Sequence, residues 1–480
     1  MSHPFRNITF RVGEYMKAKN KNSAKINTTI DGVESTSDVL TGRGGLILFV
    51  RYLTAIGILG RLQDWFACIR KSGKGQPVTE IFKQLFCFFV DGTSRHLVYF
   101  DTLAKDEGYA RGIETNPSDM LSSHSVKRFF RALLLPMGWV FRRVLLELFV
   151  WRLKIEKPNM IMLGIDSVVM DNDEAQKRHG IAPTYKKVKG FHPLQMTWGR
   201  YVIDAIFRSG DRHCNYGNDT VRMIERVVEK IRKSYRADVP IVVRMDSGFF
   251  DQKVFDYCEK QHIGYICGGK IYADIKQFIQ NWDQSFWLLL NQPDQVWEIV
   301  EFGDRRNSWS RFRRAFYCRP MYQGRQMVFD FARPDTVIYT NIGTDAVLDT
   351  RLIQSGCNDL MTAKGIIQAY HYRGADELVH RAFKDFGFEA LPFLRFHQNA
   401  AFFYTMLIGF VLFESFKTDV CAPVIAVSTY ATTLRRKLID IAAKIVRHAG
   451  KTILKICRAT FEELQFDFLW QRSASPPAVL

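Results

Sequence analysis

Residues 160–170 read MIMLGIDSVVM, a short apolar run bounded by polar and turn-forming residues. Two runs of similar length follow, YVIDAIFR at residues 201–208 and PIVVRMDSGFF at residues 240–250. Runs of this length and composition are typical of β-strands. Segments with helical periodicity follow the second and third runs. This alternation predicts an α/β domain whose first part spans residues 154–275.

The first and third of these runs each carry an aspartate near the strand end, Asp166 and Asp246. A carboxylate at the end of a buried strand needs a cation or several hydrogen-bond donors to offset its loss of hydration. Metal binding is one explanation. The other is an aspartate that caps the following turn through its side chain.

The chain before this domain is predicted to be helical, because apolar residues recur at helical spacing through residues 41–153. Within it, PSDMLSSHSVKRFFRALL at residues 117–134 is typical of a capped helix. That helix carries Lys127, Arg128 and Arg131, which suits DNA recognition and equally suits any amphipathic helix. Residues 1–40 are rich in Lys, Asn, Ser and Thr and are predicted to form a basic flexible arm.

The chain after residue 275 changes pattern twice. Residues 276–335 hold three strand-like runs around a basic loop, which predicts a β-rich insertion. Residues 336–420 return to the α/β pattern and form its second part. Residues 421–480 are predicted to be a helical basic region, with LRRKLIDIAAKIVRHAGKTILKI at 434–456 as its clearest helix.

Membrane insertion and export are not expected. The most apolar stretch, AAFFYTMLIGFVLF at residues 400–413, is shorter than the roughly 20 residues that span a bilayer, and it predicts a buried core helix. The N-terminus lacks the pattern of a secretory signal. The nine cysteines form no CxxC pair, which suits a reducing cytoplasm.

The charge balance favours a polyanionic partner. Lys and Arg number 67 against 49 Asp and Glu, a formal net charge of +18. Nucleic acid is one such partner. Charge alone does not separate it from a membrane surface or an ordinary basic enzyme.

A polar stripe marks a long helix predicted from about residue 359 to 387. Tyr370, Arg373, Glu377 and Lys384 fall within an arc of about 60° at 100° per residue, so they share one helix face. Such a stripe is usually a solvated surface. The opposite face is predicted to pack into a core.

The Tyr-x2-Arg-x3-Glu-x6-Lys spacing resembles the signature of the insertion-sequence-four-like superfamily of bacterial DDE transposases. The stretches GIDSVV, KGFHPL, RMDSGFFD and RNSWSRFRR, with GRGGLILFVRYL near the N-terminus and LRRKLIDIAAKIVRHAGK near the C-terminus, resemble its thirteen-eighty insertion-sequence group. The resemblance covers nearly the whole chain in family order. Gly268 and Gly269 depart from the bulkier strand end expected before Lys270, which leaves the role of Lys270 open.

The resemblance implies a ribonuclease-H-like catalytic domain with a β-rich insertion, flanked by helical N- and C-terminal regions. Asp166, Asp246 and Glu377 would be its catalytic and metal-binding residues, holding two Mg²⁺ ions, for which Mn²⁺ substitutes. Tyr370, Arg373 and Lys384 would contact DNA phosphates near the cut.

The resemblance also implies partners and a location. The substrates would be double-stranded DNA with terminal inverted repeats and a target DNA, to which the freed 3′-hydroxyl ends are joined. A homodimer on paired ends is the expected working form. The expected location is the bacterial cytoplasm, in association with the nucleoid, without a membrane partner.

Basic residues and tryptophans of the insertion form a second predicted DNA contact. They are Arg311, Arg313 and Arg314 around Trp309, with Trp297 on a preceding strand. Aromatic rings among basic residues suit locally unpaired DNA, where a base stacks on the indole. Either tryptophan fits equally well as hairpin core.

Three alternatives remain open. A DNA-binding protein derived from a transposase would keep the fold and basic surface without cleavage. A structure-specific nuclease of the same fold would cleave without joining. A membrane-surface role is motivated by the charge and the apolar helices.

Overall fold

The computed structural model describes residues 30, 32–69, 75–134, 137–175, 177–292, 295–323, 326–327 and 335–480. Most of the predicted basic arm, residues 1–29 and 31, lies outside the described residues. Residues 39–480 form one compact unit. The domain boundaries predicted at residues 41, 154, 276, 336 and 421 fall inside that unit and stay predictions.

The chain forms helices and strands in long alternating blocks. The described helices are α1 Leu46–Ala55, α2 Ile58–Trp65, α3 Val78–Asp91, α4 Tyr99–Leu103, α5 Glu107–Gly112, α6 Ser123–Ala132, α7 Gly138–Glu156, α8 Asp219–Ser234, α9 Gln252–Lys260, α10 Ala273–Gln280, α11 Ala346–Gln354, α12 Ala363–His371, α13 Gly374–Phe386, α14 Phe396–Phe416, α15 Ala431–Leu434, α16 Arg458–Glu463 and α17 Phe466–Ala474. The described strands are β1 Val39–Thr41, β2 Ile161–Ser167, β3 Met170–Asp171, β4 Ala182–Pro183, β5 Lys189–Phe191, β6 Leu194–Trp198, β7 Tyr201–Ile206, β8 Ile241–Met245, β9 Gly264–Gly268, β10 Leu288–Gln292, β11 Gln295–Asp304, β12 Arg313–Gln323, β13 Gln326–Met327, β14 Thr336–Thr340, β15 Ala443–His448 and β16 Lys451–Ile456.

A large mixed sheet organises the chain, in the order β10-β11-β12-β14-β9-β8-β2-β6-β7, with β13 paired to β12. Its centre is parallel, because β2 pairs with β8 and β8 with β9 in parallel register. All five residues of β8 are buried, as expected for a parallel strand covered on both faces. The mixed α/β class predicted from the sequence is confirmed.

The predicted insertion extends this sheet. Strands β11 and β12 continue it in antiparallel register, and β14 returns the chain to β9. The third run predicted there, QMVFDFA, is described only at its start as β13. Residues 328–332 of that run lie outside the described residues.

Helix α14 lies in the hydrophobic core and packs against α7 and α3. Its rings contact Phe89, Phe383 and Phe386 from neighbouring helices. Together with its continuation to Cys421, α14 is long and apolar enough to cross a membrane, but 94% of its most apolar window is buried inside the protein. The predicted core helix is therefore present.

The helix predicted over residues 434–456 is wrong in its second half, because those residues form the antiparallel hairpin β15–β16. Ala449 and Gly450 join the two strands with φ of 47° and 75°. Two consecutive residues with positive φ suit a two-residue turn of the type that matches strand twist. The flanking sequence is rich in β-branched residues, which favour strands once they pair.

The predicted long helix at 359–387 is also corrected, because α12 ends at His371 and α13 begins at Gly374. At the junction the Asp376 N–H donates to the Arg373 carbonyl, a tighter bond than in an α-helix. Tyr372 lies on the face opposite the polar stripe but is 71% exposed, so the prediction that this face packs into a core is wrong at this residue.

Arg435 ties α13 to the N-terminal helices. Its guanidinium donates to the carbonyls of Phe89 and Val90 at the end of α3, and to the carbonyl of Phe386 at the end of α13. A cation at helix C-termini satisfies carbonyls that have no partner within the helix. This arginine therefore has a structural role.

Candidate active site

The parallel pairing of β2 and β8 positions two carboxylates side by side. Ile165 on β2 is in register with Met245 on β8. Asp166 and Asp246 are the next residues on each strand, and neighbouring strands lie about 4.8 Å apart. The sheet therefore brings the two aspartates together at one edge, the arrangement that the family resemblance implies.

Each aspartate also accepts a local backbone hydrogen bond. Oδ1 of Asp166 accepts from the N–H of Ser167 at 2.7 Å, and Oδ1 of Asp246 accepts from the N–H of Gly248 at 2.8 Å. The turn-capping alternative is thus present in the structure. It uses only one oxygen of each carboxylate. Only the second oxygen of each can therefore distinguish metal binding from turn capping.

The electrostatics of Asp166 show that three carboxylates share this site. Burial and the neighbouring Asp246 raise the pKa of Asp166 to about 6, and Glu377 acts in the same direction. The Ser167 N–H and the Arg373 guanidinium act in the opposite direction. Like charges in a partly buried site oppose each other's ionisation. Asp246 and Glu377 therefore both act on the ionisation of Asp166.

Two basic residues of the stripe pair with acidic neighbours. Arg373 lies 3.3 Å from Oε1 of Glu377, whose side chain is 60% exposed. Lys384 donates to Oε2 of Glu389 at 2.6 Å. In this conformation Glu377 therefore forms an ion pair with Arg373.

The donor set fits a divalent cation. Across the described part of the chain, no three carboxylate, histidine or cysteine side chains lie close enough together to hold an ion as they stand. Carboxylate oxygens are nevertheless the ligands that Mg²⁺ prefers. Burial and the charge of Asp246 raise the pKa of Asp166, and a cation between the carboxylates would lower it.

Tyr370 lies against the end of β9. A Cβ placed on Gly268 would stand 2.5 Å from Oη of Tyr370 and 3.0 Å from the backbone nitrogen of Ser247. The glycine that departs from the family pattern is therefore required by close packing. Burial raises the pKa of Tyr370 to about 12. Tyr370 packs beneath the loop that follows Asp246.

His380 is a site residue that sequence reasoning missed. Its side chain is buried on α13, its Nδ1 lies 2.9 Å from Oε1 of Gln195, and its Nε2 lies 3.9 Å from Oδ2 of Asp166. Gln195 is fully buried on β6 and is the register partner of Asp166. The available signal was the position of His380 three residues after Glu377, on nearly the same side of the helix.

Two residues from loops beside the sheet also reach the site and were missed. Sγ of Cys214 lies 3.6 Å from Oγ of Ser167, the residue after Asp166. Tyr185 is 67% exposed, and its hydroxyl senses the charges of all three carboxylates. Isolated Cys and Tyr residues in loops give no periodic signal, so the sequence alone could not select them.

The structure corrects the predicted DNA contacts of Trp309 and Arg313. Trp309 is 4% exposed and packs against Phe250 and Tyr339. The Arg313 side chain is 1% exposed and its Nε donates to Glu259 at 2.7 Å. Both side chains belong to the interior and contact α9, Trp309 through Phe255 and Arg313 through Glu259.

The predicted DNA contacts of Trp297 and Arg314 are corrected too, because both side chains are largely buried. Trp297 is 2% exposed and stacks on His371, with ring centroids 4.2 Å apart. Arg314 pairs with Glu301 at 2.6 Å, and its side chain is 14% exposed. Arg311 differs, because its side chain is 64% exposed. Among the predicted contacts of the insertion, Arg311 alone remains open to a DNA phosphate.

The capped helix predicted around residue 123 is α6, where Oγ of Ser122 accepts from the N–H of Ser125. Lys127, Arg128 and Arg131 are exposed on it. Lys127 also lines a cleft with Asn172 and residues after α13. Their contact with DNA, and any role of the exposed Lys270, stay predictions.

Comparison with known proteins identifies the family. Residues 18–472 match the family described as transposase DDE domain group 1. No curated protein matches the chain. A cryo-EM structure titled piggyBac transposase synaptic complex with hairpin DNA matches at 13% identity and a TM-score of 0.37, over 82% of this chain and 80% of that chain. That structural similarity is too slight to assign residues, whereas the family match spans most of the chain. The chain therefore belongs to the DDE transposases, enzymes that cut nucleic acid.

Proposed function

We propose that this transposase cleaves DNA at the terminal inverted repeats of an insertion sequence and joins the freed 3′-hydroxyl ends to target DNA. The observation that carries the proposal is the pairing of Asp166 and Asp246 at the ends of adjacent strands, with Glu377 acting on Asp166. Two of these carboxylates end adjacent parallel strands, and the third acts electrostatically on the first. Three carboxylates in one site are the ligand set for phosphoryl transfer with two metal ions.

The fold we propose for the catalytic region is ribonuclease-H-like, as the family resemblance implies. Support comes from the order β7-β6-β2-β8-β9, in which three antiparallel strands are followed by two parallel ones. Strands β10 to β13 are inserted between β9 and β14 and lengthen the same sheet.

Asp166, Asp246 and Glu377 would hold two Mg²⁺ ions, which supply activation of the attacking oxygen and stabilisation of the leaving oxygen when bound. For Glu377 to join the aspartates, it must release Arg373. The freed guanidinium is then available to a DNA phosphate, which it binds through paired hydrogen bonds. Release of Glu389 would free Lys384 in the same way.

The proposed partners follow from the reaction. Two ends cut in concert require two active sites, so a homodimer on paired terminal repeats is the proposed working form. The residue stretches matching the thirteen-eighty insertion-sequence group support a bacterial element, and with it a place in the cytoplasm beside the nucleoid. Mn²⁺ is proposed to substitute for Mg²⁺, because it accepts the same oxygen ligands.

The test is joining of a radiolabelled terminal-repeat duplex, taken from the DNA that flanks the coding sequence, into plasmid DNA with Mg²⁺. Glu377→Ala should abolish joined product, and Asp166→Asn and Asp246→Asn should do the same. Glu229→Ala is the matched control, because it removes an exposed carboxylate from α8, outside the site. That variant should join DNA at the wild-type rate.

Each other outcome would support a different function or a different site assignment. Wild-type protein that binds the duplex but neither cuts nor joins with Mg²⁺ or Mn²⁺ would indicate a DNA-binding derivative. Cleavage without joining would indicate a structure-specific nuclease. Joining that persists in Glu377→Ala would overturn the assignment of the third carboxylate.

A further inference from the structure

The loop between β4 and β5 holds an aromatic ring outward in a defined turn. The Thr184 N–H donates to the Val188 carbonyl at 2.9 Å, and Oγ1 of Thr184 donates to the same carbonyl at 2.8 Å. The Lys187 N–H donates back to the Thr184 carbonyl at 3.0 Å. Between these anchors, Tyr185 is 67% exposed. The backbone hydrogen bonds therefore present this ring to solvent in a set position.

A buried histidine supports the Tyr185 ring. The rings of Tyr185 and His192 have centroids 5.3 Å apart. His192 is 3% exposed, and its Nδ1 lies 2.7 Å from the Arg212 carbonyl. The tyrosine thus rests on a side chain that is itself held in place. A pre-positioned aromatic ring loses little conformational entropy when it binds a planar partner.

The ring lies beside the catalytic carboxylates. The loop that supports His192 also carries Cys214, which contacts Ser167 next to Asp166. Burial raises the pKa of the Tyr185 hydroxyl, and the charges of Asp166, Asp246 and Glu377 raise it further. The contacts of Tyr185 with His192, of His192 with the Arg212 carbonyl and of Cys214 with Ser167 link this ring to the strand end that carries Asp166.

Cations also lie near Tyr185. Lys186 places its Nζ 5.8 Å from the centre of the Tyr185 ring, and Lys187 follows in the same turn. On the neighbouring loop, the Arg212 guanidinium stacks over Tyr216 at 3.9 Å. Exposed rings among cations suit a DNA strand with unpaired bases, since the cations bind phosphates while the ring stacks on a base.

We propose that Tyr185 stacks on the nucleobase next to the scissile phosphate and holds the DNA end locally unpaired at the carboxylates. This proposal rests on the proposed function. It specifies that the DNA end is locally unpaired when it binds at the site. It also assigns the stacking role to an exposed ring, since Trp309 and Trp297 are buried in the described structure. Unpairing moves the phosphate out of the regular duplex and toward the metal ligands.

The first test compares cleavage of two duplexes with Mg²⁺, one fully paired and one mismatched at the scissile end. Tyr185→Ala should lower the cleavage rate on the paired duplex about tenfold, the size expected for one base–aromatic stack. On the mismatched duplex the loss should fall below about twofold, because that end needs no unpairing. Tyr185→Phe keeps the ring and should restore most of the rate on the paired duplex.

The second test does not depend on cleavage. A terminal-repeat duplex with 2-aminopurine at the scissile end is bound by the full-length protein in chelator. Wild type should change the 2-aminopurine fluorescence as the base leaves the duplex stack, and Tyr185→Ala should not. Trp139→Ala is the matched control, since it removes an aromatic ring 56% exposed on α7, and it should leave the change intact.

The outcomes separate the two proposals. Tyr185→Ala that cleaves the paired duplex at the wild-type rate, or loses rate equally on both duplexes, would overturn the stacking role. Wild-type protein that cleaves neither duplex would contradict the proposed function instead. In that case the fluorescence measurement still decides the stacking role, and a Tyr185→Ala protein that changes the fluorescence as much as wild type does would reject it.

Discussion

Nε2 of His380 lies 3.9 Å from Oδ2 of Asp166, and it is buried without a hydrogen-bond partner. Nε2 of Gln195, next to it, is also buried without one. Turning the Gln195 amide by 180° would let it donate to Nδ1 of His380, which leaves the imidazole to present Nε2–H to Asp166. Burial, Lys384 and Arg373 lower the pKa of His380 to about 4, so it is neutral at pH 7. We therefore expect His380 to orient the Asp166 carboxylate, which the first prediction tests.

The first prediction concerns this contact. His380→Ala should raise the Mg²⁺ concentration for half-maximal cleavage about 10- to 100-fold, the usual cost of losing a group that orients a metal ligand. Binding of the terminal-repeat duplex in chelator should stay unchanged. The measurement is a Mg²⁺ titration of DNA cleavage alongside a metal-free binding assay.

Two further variants make the test specific. The Gln amide reaches the place of Nε2, whereas the Asn amide reaches that of Nδ1, so His380→Gln should retain more activity than His380→Asn. His262→Ala removes an exposed histidine that pairs with Asp345, and it should leave the titration unchanged. Equal loss with Gln and Asn would point to packing rather than positioning.

The second prediction concerns the charge of Asp166 in metal-free protein. Because its pKa is raised to about 6, its ionised form destabilises the folded state at neutral pH. Asp166→Asn should therefore raise the free energy of unfolding by about 1 to 3 kcal/mol at pH 7.5. The measurement is denaturant unfolding in chelator.

The pH dependence of that difference has a definite sign. Stability from the protonated Asp166 carboxyl is present at low pH and is lost as pH rises through about 6. The advantage of Asp166→Asn should shrink as pH falls from 7.5 toward 4. An advantage that stays constant over this range would show that another interaction causes it.

The third prediction concerns the ion pair that fastens the catalytic helix to the sheet. Arg244 on β8 donates to both oxygens of Asp376 on α13, at 2.8 to 3.1 Å, and both side chains are buried. Arg244→Met leaves the Asp376 carboxylate buried without its partner. Unfolding free energy should fall by about 3 to 5 kcal/mol, measured by urea titration.

An exposed ion pair provides the comparison for Arg244. Arg236 and Asp238 lie 2.7 Å apart just before β8, with side chains 41% and 71% exposed. Arg236→Met should cost under about 1 kcal/mol, because water and salt screen an exposed pair. Similar losses for both variants would contradict the structural role of the buried pair.

The fourth prediction concerns the close approach at Gly268. Gly268→Ala should lower the unfolding free energy by about 1 to 3 kcal/mol, because its Cβ meets Oη of Tyr370 at 2.5 Å. In a Tyr370→Phe background the loss should be smaller, since the nearest ring atom then stands at 3.3 Å. Thermal unfolding of the four proteins in the cycle measures the difference.

Gly60→Ala is the control for that cycle. No atom lies within 4 Å of a Cβ at Gly60, which is exposed within α2. Alanine there should raise stability slightly, by up to about 1 kcal/mol, because it favours the helix. A loss at Gly268 that is unchanged in the Tyr370→Phe background would place the clash on the backbone of Ser247 alone.

Some of the site could be predicted because its signal is local. Asp166 and Asp246 each stand at the end of a buried run of strand length, and parallel strands bring such ends to one edge. Glu377 was found through the spacing of polar residues on a helical pattern and the family resemblance. The break between α12 and α13 was not predictable, because Tyr372 and Arg373 keep helical backbone angles and only the hydrogen bonding tightens.

Other predictions were wrong because their sequence patterns fit two different structures equally well. Residues 443–456 carry apolar residues at spacings that fit a helix or a hairpin, and pairing with β1 selects the hairpin. Trp309 and Arg313 lie in a basic, aromatic segment that resembles a nucleic-acid surface. Packing against α9 and the neighbouring strands buries them instead.

The sequence by itself determined the mixed α/β class, the family and the strand ends that carry Asp166 and Asp246, because these depend on periodicity and on residue order along the chain. Only the tertiary structure decided that His380 faces Asp166, that Tyr185 stands exposed beside the carboxylates and that Trp309 is interior. These relationships join residues far apart in the chain, and sheet register and packing, which no local pattern encodes, set their distances.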